Sequence, residues 1–204
     1  VVVLNVGGVV DSMWFADDPQ IQSVLMAWQG GIEGGAAAAE LLCGIGSPSG
    51  KLADTFAKTL EDYPSSYNFH ESQNYVDYTD DIYVGYRYFE TIPGADKKVV
   101  YPFGYGLTYG TISYSGAKTE QETSAVLDDV TVCTKVKNES AYPLNESVEI
   151  YVKYKNAQPG EPGFQLKGIA CVELQAGEEK EVSVTLHARD FAVITEDGGC
   201  VVRP

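Results

Sequence analysis

Positive charge is what this chain has least of. Its 204 residues carry 14 lysines and arginines against 29 aspartates and glutamates, a formal net charge of −15. Binding to a phosphate backbone runs on cations that release counterions. Nucleic acid is therefore excluded as a partner, and an anionic membrane surface is repelled for the same reason. Histidine is almost absent, with His70 and His187 alone. No G-x-S-x-G turn or other nucleophile signature lies near either, so a hydrolytic triad has no support. The four cysteines, Cys43, Cys133, Cys171 and Cys200, include no Cys-x-x-Cys pair. A zinc site or redox pair is excluded on that spacing, and buried free thiols are expected. No apolar run approaches the roughly 20 residues of a membrane helix. Gly7-Gly8 stands alone, without the glycines of a dinucleotide or P-loop fingerprint.

What is present is a globular composition, 44% hydrophobic and 21% charged, in a length that suits one ordinary domain or two small ones. The opening run Val1-Val2-Val3-Leu4-Asn5-Val6 reads as a strand buried on both faces, as in a parallel sheet. Asp17-Asp18-Pro19 offers helix-start chemistry, and Ile21, Val24, Leu25 and Trp28 follow at helical spacing. After Gly30-Gly31, an alanine-rich helix is predicted over residues 36–42, ended by Gly44 and Gly46. Residues 52–56 suit a short strand, residues 60–79 a long polar loop, and residues 82–89 a strand by alternation. This order reads as α/β.

Past Thr108 the pattern becomes pure β. Strands are predicted over 111–115, 130–137, 147–154, 165–173, 179–186 and 191–195, separated by Asn, Gly and Pro turns. Their number and spacing suit an immunoglobulin or fibronectin type III-like sandwich. The division expected is 1–93 for the α/β part, 94–109 for a linker, and 110–204 for the sandwich. The chain opens inside an apolar strand and closes at Val201-Val202-Arg203-Pro204. Both ends read as internal to a longer polypeptide, with the last strand truncated. A sheet cut at its first strand exposes an edge and an apolar face, so aggregation of the isolated piece is expected.

Several collinear stretches carry a resemblance. They are Val1-Val2-Val3-Leu4-Asn5-Val6-Gly7-Gly8, Ala27-Trp28-Gln29-Gly30-Gly31-Ile32-Glu33-Gly34-Gly35, and Gly46-Ser47-Pro48-Ser49-Gly50-Lys51-Leu52 with Thr55. Then come Ile82-Tyr83-Val84-Gly85-Tyr86-Arg87-Tyr88, the run from Tyr101 to Tyr109, and Leu166-Lys167-Gly168 followed by Ala176-Gly177-Glu178. Together they resemble family 3 glycoside hydrolases: the C-terminal α/β sandwich followed by a fibronectin type III-like domain, nearest in kind to bacterial β-glucosidases. The resemblance implies a partial α/β sandwich followed by an all-β domain, in a retaining exo-β-glycosidase that needs no cofactor. It implies a β-linked oligosaccharide or glucoside as substrate, and as a partner a barrel domain of the same protein. It favours a bacterial cytoplasmic location over secretion. The family's aspartate nucleophile and glutamate acid/base belong to motifs this chain does not contain, so no catalytic residue is assigned.

Substrate-contact candidates are Asp11, His70 and Asp81. Asp11 lies past the first strand, at the edge where α/β sheets place ligands, and competes with a loop-ordering role. His70 sits in the polar loop, where exposure is the default, and Asp81 lies just past it. Asp80-Asp81 reads as a pair of solvated charges on opposite strand faces. Glu33 suits a helix cap, Trp28 a helix core, and Arg87 an ion pair or a ring stack. The tyrosine-rich stretch between Tyr83 and Tyr109 suits a domain interface. The alternative is a carbohydrate-binding or scaffold module with no catalysis of its own.

Overall fold

The computed structural model describes residues 1–120, 128–155, 157, 160–161, 163–195 and 197–202. They form two compact units. One holds residues 1–46 and 51–105, the other residues 47–50 and 106–204.

In the first unit Val2–Leu4 (β1) runs parallel to Val24–Met26 (β2), with Val3 opposite Leu25. The helical spacing through residues 21–28 does not become a helix. Val24-Leu25-Met26 is also a short apolar run, which periodicity alone cannot assign, and pairing with β1 decides it as a strand. Trp28 just beyond is no helix-core residue. Its backbone sits at φ 51°, and its ring lies 6.3 Å from that of Phe56. The Asp17-Asp18-Pro19 signal starts no helix either. Asp18 Oδ1 accepts the Gln20 N–H at 2.8 Å in a local turn, and the single helical turn Met13–Ala16 (α1) precedes it. The alanine-rich segment is helical over Gly34–Leu42 (α2). Gly44, at φ 72°, reverses the chain there and its N–H bonds back to the Leu41 carbonyl at 3.0 Å, a left-handed cap that glycine adopts without strain. Glu33 is at the N-cap, but its carboxylate makes no capping bond, and no residue of α2 is buried.

Phe56–Ala57 (β3) pairs antiparallel with Val99–Tyr101 (β4), so the stretch expected as a linker contributes a strand. Residues 82–89 are not a strand. Gly85, at φ 58°, turns the chain into the helix Tyr86–Thr91 (α3). Tyrosine and valine favour strands locally, but burial favours the helix, because one turn of it seats Phe89, Tyr88 and Ile92 on Ala57 and Ala95. Two polar groups tie this core together. Buried Ser12 donates from Oγ to the Ala57 carbonyl at 2.8 Å. The Tyr63 hydroxyl donates to the Thr55 carbonyl at 2.7 Å and accepts the Ala57 N–H at 2.9 Å. Arg87 has no ion pair or ring stack among the described residues.

The second unit is a β-sandwich. Ile112–Thr119 (β5), Val130–Asn138 (β6) and Glu179–Leu186 (β9) make one sheet, and Leu144–Lys153 (β7) with Phe164–Leu174 (β8) make the other. Ala192–Ile194 (β10) and Cys200–Val202 (β11) add a hairpin. Every strand expected past Thr108 is present, most of them longer than the local pattern indicated. Val136, Val148, Leu174 and Val182 form the core. Gly168 lets the layers approach, since a Cβ there would meet Val184 Cγ1 at 2.6 Å. The segment Ser47–Gly50 belongs to this unit. Ser47 Oγ lies 2.7 Å from Thr108 Oγ1 and accepts the Tyr109 N–H at 3.0 Å, and Ser147 Oγ donates to the Ser49 carbonyl at 3.3 Å. All four cysteines are free, but only Cys133 is buried.

Candidate functional site

The carboxyl ends of β1 and β2 lead into two loops that meet. A Cβ on Gly7 would lie 3.0 Å from Gln29 Nε2, and one on Gly30 would lie 2.9 Å from the Gly34 Cα. Close approach therefore requires glycine at Gly7 and Gly30, whereas Gly8, Gly31, Gly34 and Gly35 have open space where a Cβ would stand. Asp11 follows on the first loop. Its Oδ1 accepts the Met13 N–H at 3.2 Å, which orders the entry into α1, while the next residue, Ser12, anchors the loop to β3.

The second region is the loop of residues 60–84. Two 3-10 turns, Leu60–Asp62 and Pro64–Tyr67, open it. The Thr59 side chain and backbone both engage Asp62 Oδ2 at 3.2 Å, and Lys98 pairs with Asp62 Oδ1 at 3.4 Å. The loop exposes Tyr67 at the end of the second turn and, beyond it, Phe69, Tyr75 and Tyr78. His70 is exposed and packs edge-on against Phe69, with ring centroids 4.7 Å apart. Asp81 is exposed and takes φ 49°, a left-handed conformation that aspartate tolerates better than most residues. No hydrogen bond or ion pair among the described residues joins Asp11, His70 and Asp81 to one another.

Asp80 behaves differently from its neighbour. It is half-buried, and its Oδ1 is shielded from solvent with no hydrogen-bond partner among the described residues. It lines a concavity with Pro64, Thr79, Tyr83, Tyr88 and Ile92. The sequence pattern placed Asp80 and Asp81 on opposite faces of a strand as ordinary surface charges. Only the turn into α3, which places Tyr88 and Ile92 on the same concavity as Pro64, distinguishes them. The Asp54 carboxyl, which interacts with Tyr63, is pushed up by burial, and the Tyr63 hydroxyl is pushed up by burial despite the bond it accepts from Ala57.

In the sandwich, Tyr114 donates to Glu146 Oε1 at 2.8 Å, and burial raises the phenol, with the bond to the carboxylate adding to it. His187, just past β9, lies 3.0 Å from Asp129 through Nδ1. Asn138, the acceptor position of one Asn-x-Ser triplet, is fully buried and donates from Nδ2 to the carbonyls of Tyr142 and Gln175 at 2.7 and 3.1 Å. It is closed to glycan attachment in the folded chain.

Comparison with known proteins covers nearly the whole chain. Residues 1–109 match the glycosyl hydrolase family 3 C-terminal domain, and residues 146–204 match the fibronectin type III-like domain. The beta-glucosidase A of Butyrivibrio fibrisolvens is 51% identical over 204 residues, covering 94% of this chain and 25% of that protein. An exo-alpha-(1->6)-L-arabinopyranosidase of Bifidobacterium longum is 38% identical over 96% of this chain and 25% of its own length. Among solved structures, a beta-glucosidase from Paenibacillus barengoltzii superposes with a TM-score of 0.82 at 38% identity, over 93% of this chain and 21% of that one. The chain thus spans about a quarter of the length of the curated relatives it matches. On the match across residues 1–109, the parallel β1–β2 edge and the sandwich that follows, this chain belongs to glycosyl hydrolase family 3, as its C-terminal α/β domain joined to a fibronectin type III-like domain.

Proposed function

We propose that the protein carrying this chain is a retaining exo-acting β-glycosidase that removes glucose from β-glucosides, and that residues 1–204 supply a wall of its active site and a bracing sandwich. The observation that carries the reading is the 51% identity to a beta-glucosidase that continues across both domains. Retaining hydrolysis needs two carboxyl groups about 5–5.5 Å apart, one attacking the anomeric carbon and one moving the proton. This chain lacks both family motifs, so the nucleophile and the acid/base come from outside residues 1–204, the nucleophile from a barrel domain of the same protein. The β1–β2 pair supports this. Val3 is 42% exposed on it, and parallel strands ordinarily lie covered on both faces by further structure.

The arabinopyranosidase, at 38% identity against 51% for the beta-glucosidase, raises a second sugar. An α-L-arabinopyranoside lacks the hydroxymethyl arm of a β-glucoside and carries the C4 hydroxyl in the opposite configuration, so the few groups that meet that arm and that hydroxyl decide between the two sugars. The test is to assay the full-length protein on p-nitrophenyl β-D-glucopyranoside and p-nitrophenyl α-L-arabinopyranoside. A higher kcat/KM on the glucoside supports the main reading, the reverse order supports the second, and no hydrolysis of either overturns both.

A further inference from the structure

We propose that the concavity around Asp80 binds one pyranose ring of a neutral saccharide. Its lining is mostly apolar or aromatic: Pro64, Tyr83, Tyr88 and Ile92, with Thr79 and Asp80 as the polar members. It holds about 190 Å³, below the ~300 Å³ at which pockets for drug-sized ligands begin. That is room for a single sugar ring and little more.

The polar requirement comes from Asp80. A carboxylate oxygen shielded from water without a donor is costly, and a ligand that brings an O–H or N–H relieves that cost. Anions are excluded by the carboxylate itself and by its surroundings. Between Lys58 and Arg87 the chain has no lysine or arginine and carries Glu61, Asp62, Glu71, Asp77, Asp80 and Asp81. A cation would have to shed its hydration against apolar walls, which costs several kcal/mol per ion. A hydroxyl sheds far less, and the C–H face of a pyranose packs on tyrosine rings and proline. The same loop exposes Tyr67 and Tyr78, at 83% and 95% of their surface, as further faces on which a longer saccharide stacks. The choice of a glucoside as probe rests on the β-glucosidase reading, but the pocket does not.

The test uses crystals of the full-length protein soaked in a concentration series of methyl β-D-glucopyranoside. The result expected is a pyranose in the concavity with a hydroxyl within hydrogen-bond distance of Asp80 Oδ1. In Asp80→Ala the concentration for half occupancy rises about tenfold or more, the loss of one charge-assisted bond. Tyr83→Ala, which removes a wall and keeps the carboxylate, weakens it as well and serves if Asp80→Ala does not fold. An empty concavity at the highest concentration overturns the proposal. So does a lysine or arginine from outside residues 1–204 seated there, or binding equally strong in Asp80→Ala. Hydrolysis of β-glucosides without sugar at Asp80 overturns the pocket alone. Sugar at Asp80 in a protein that hydrolyses no glycoside overturns the activity and leaves the pocket standing.

Discussion

Strand β6 is paired along both edges, with β5 on one side and with β9 for eight residues on the other. In the α/β unit, β1 and β2 pair through three residues and only with each other among the described residues, and β3 meets β4 through two. The sandwich pairs its strands along long ladders within one unit and buries Val136, Val148, Leu174 and Val182 as a core. The α/β unit has a small core of Ala57, Phe89 and Ala95, and leaves Val1, Val3, Ile32, Leu42 and Ile45 exposed. One region is self-sufficient. The other is held by a few polar ties and leaves much of its apolar surface uncovered. Hydrogen exchange, which reads local opening region by region, is the measurement that breaks or sharpens this contrast.

The largest effect is expected at Asn138→Ala. The substitution strips donors from the Tyr142 and Gln175 carbonyls and removes the acceptor that holds the Ser140 N–H at 2.9 Å, all at a fully buried side chain. Leaving several such groups unpaired costs about 3–4 kcal/mol. Exchange should quicken throughout β6–β9 while α3 and β4 keep their protection. Next comes Gly168→Ala, where the new Cβ overlaps Val184 Cγ1. Overpacking costs about 2 kcal/mol, and the same strands should respond by less. Tyr63→Phe is the counterpart in the α/β unit. It leaves the Thr55 carbonyl and the Ala57 N–H without their partner, at about 1–2 kcal/mol. Its exchange signature should be confined to β3, β4 and α3. If the sandwich loosens as well, the two units are one cooperative body and the contrast fails.

The smallest effect is a difference in pH response. Glu139 is held below its usual range by its bond to Lys137 and then by that from Ser113, and Glu178 by the Gln175 N–H and then Lys180. A carboxylate lowered on folding stabilises the fold above its unfolded pKa, and that stabilisation is lost as pH falls toward the folded value. Asp54 has the opposite sign. Burial raises it, so its ionised form weighs against the fold, and that weight lifts as pH falls. Acidification below about pH 4.5 should therefore quicken exchange in the sandwich more than around β3, and Glu139→Gln should reduce the difference.

The same contrast explains what could be read from the residues alone. Glu179–Leu186 alternates valine and leucine with charged and hydroxyl residues, and its partners lie within the same chain, so local pattern and tertiary fold agree. Residues 21–28 and 82–89 depart from their local pattern because short apolar or tyrosine-rich runs fit two periods, and the choice is made by distant contacts: β1 for the first, Ala57 and Ala95 for the second. The site followed the same rule. Asp11, His70 and Asp81 were legible as loop residues with polar side chains. Asp80 is not separable from Asp81 in the sequence, because its surroundings combine Pro64 with Tyr88 and Ile92, residues distant along the chain.

The measurement that bears most directly on membership in a working glycosidase is the stereochemistry of hydrolysis. The full-length protein would be mixed with an aryl β-D-glucopyranoside and the anomeric protons followed by NMR before mutarotation. The account predicts that β-glucose appears first, the outcome of two successive inversions through a glycosyl-enzyme intermediate. Release of α-glucose first would contradict the retaining mechanism, and no release at all would contradict the activity.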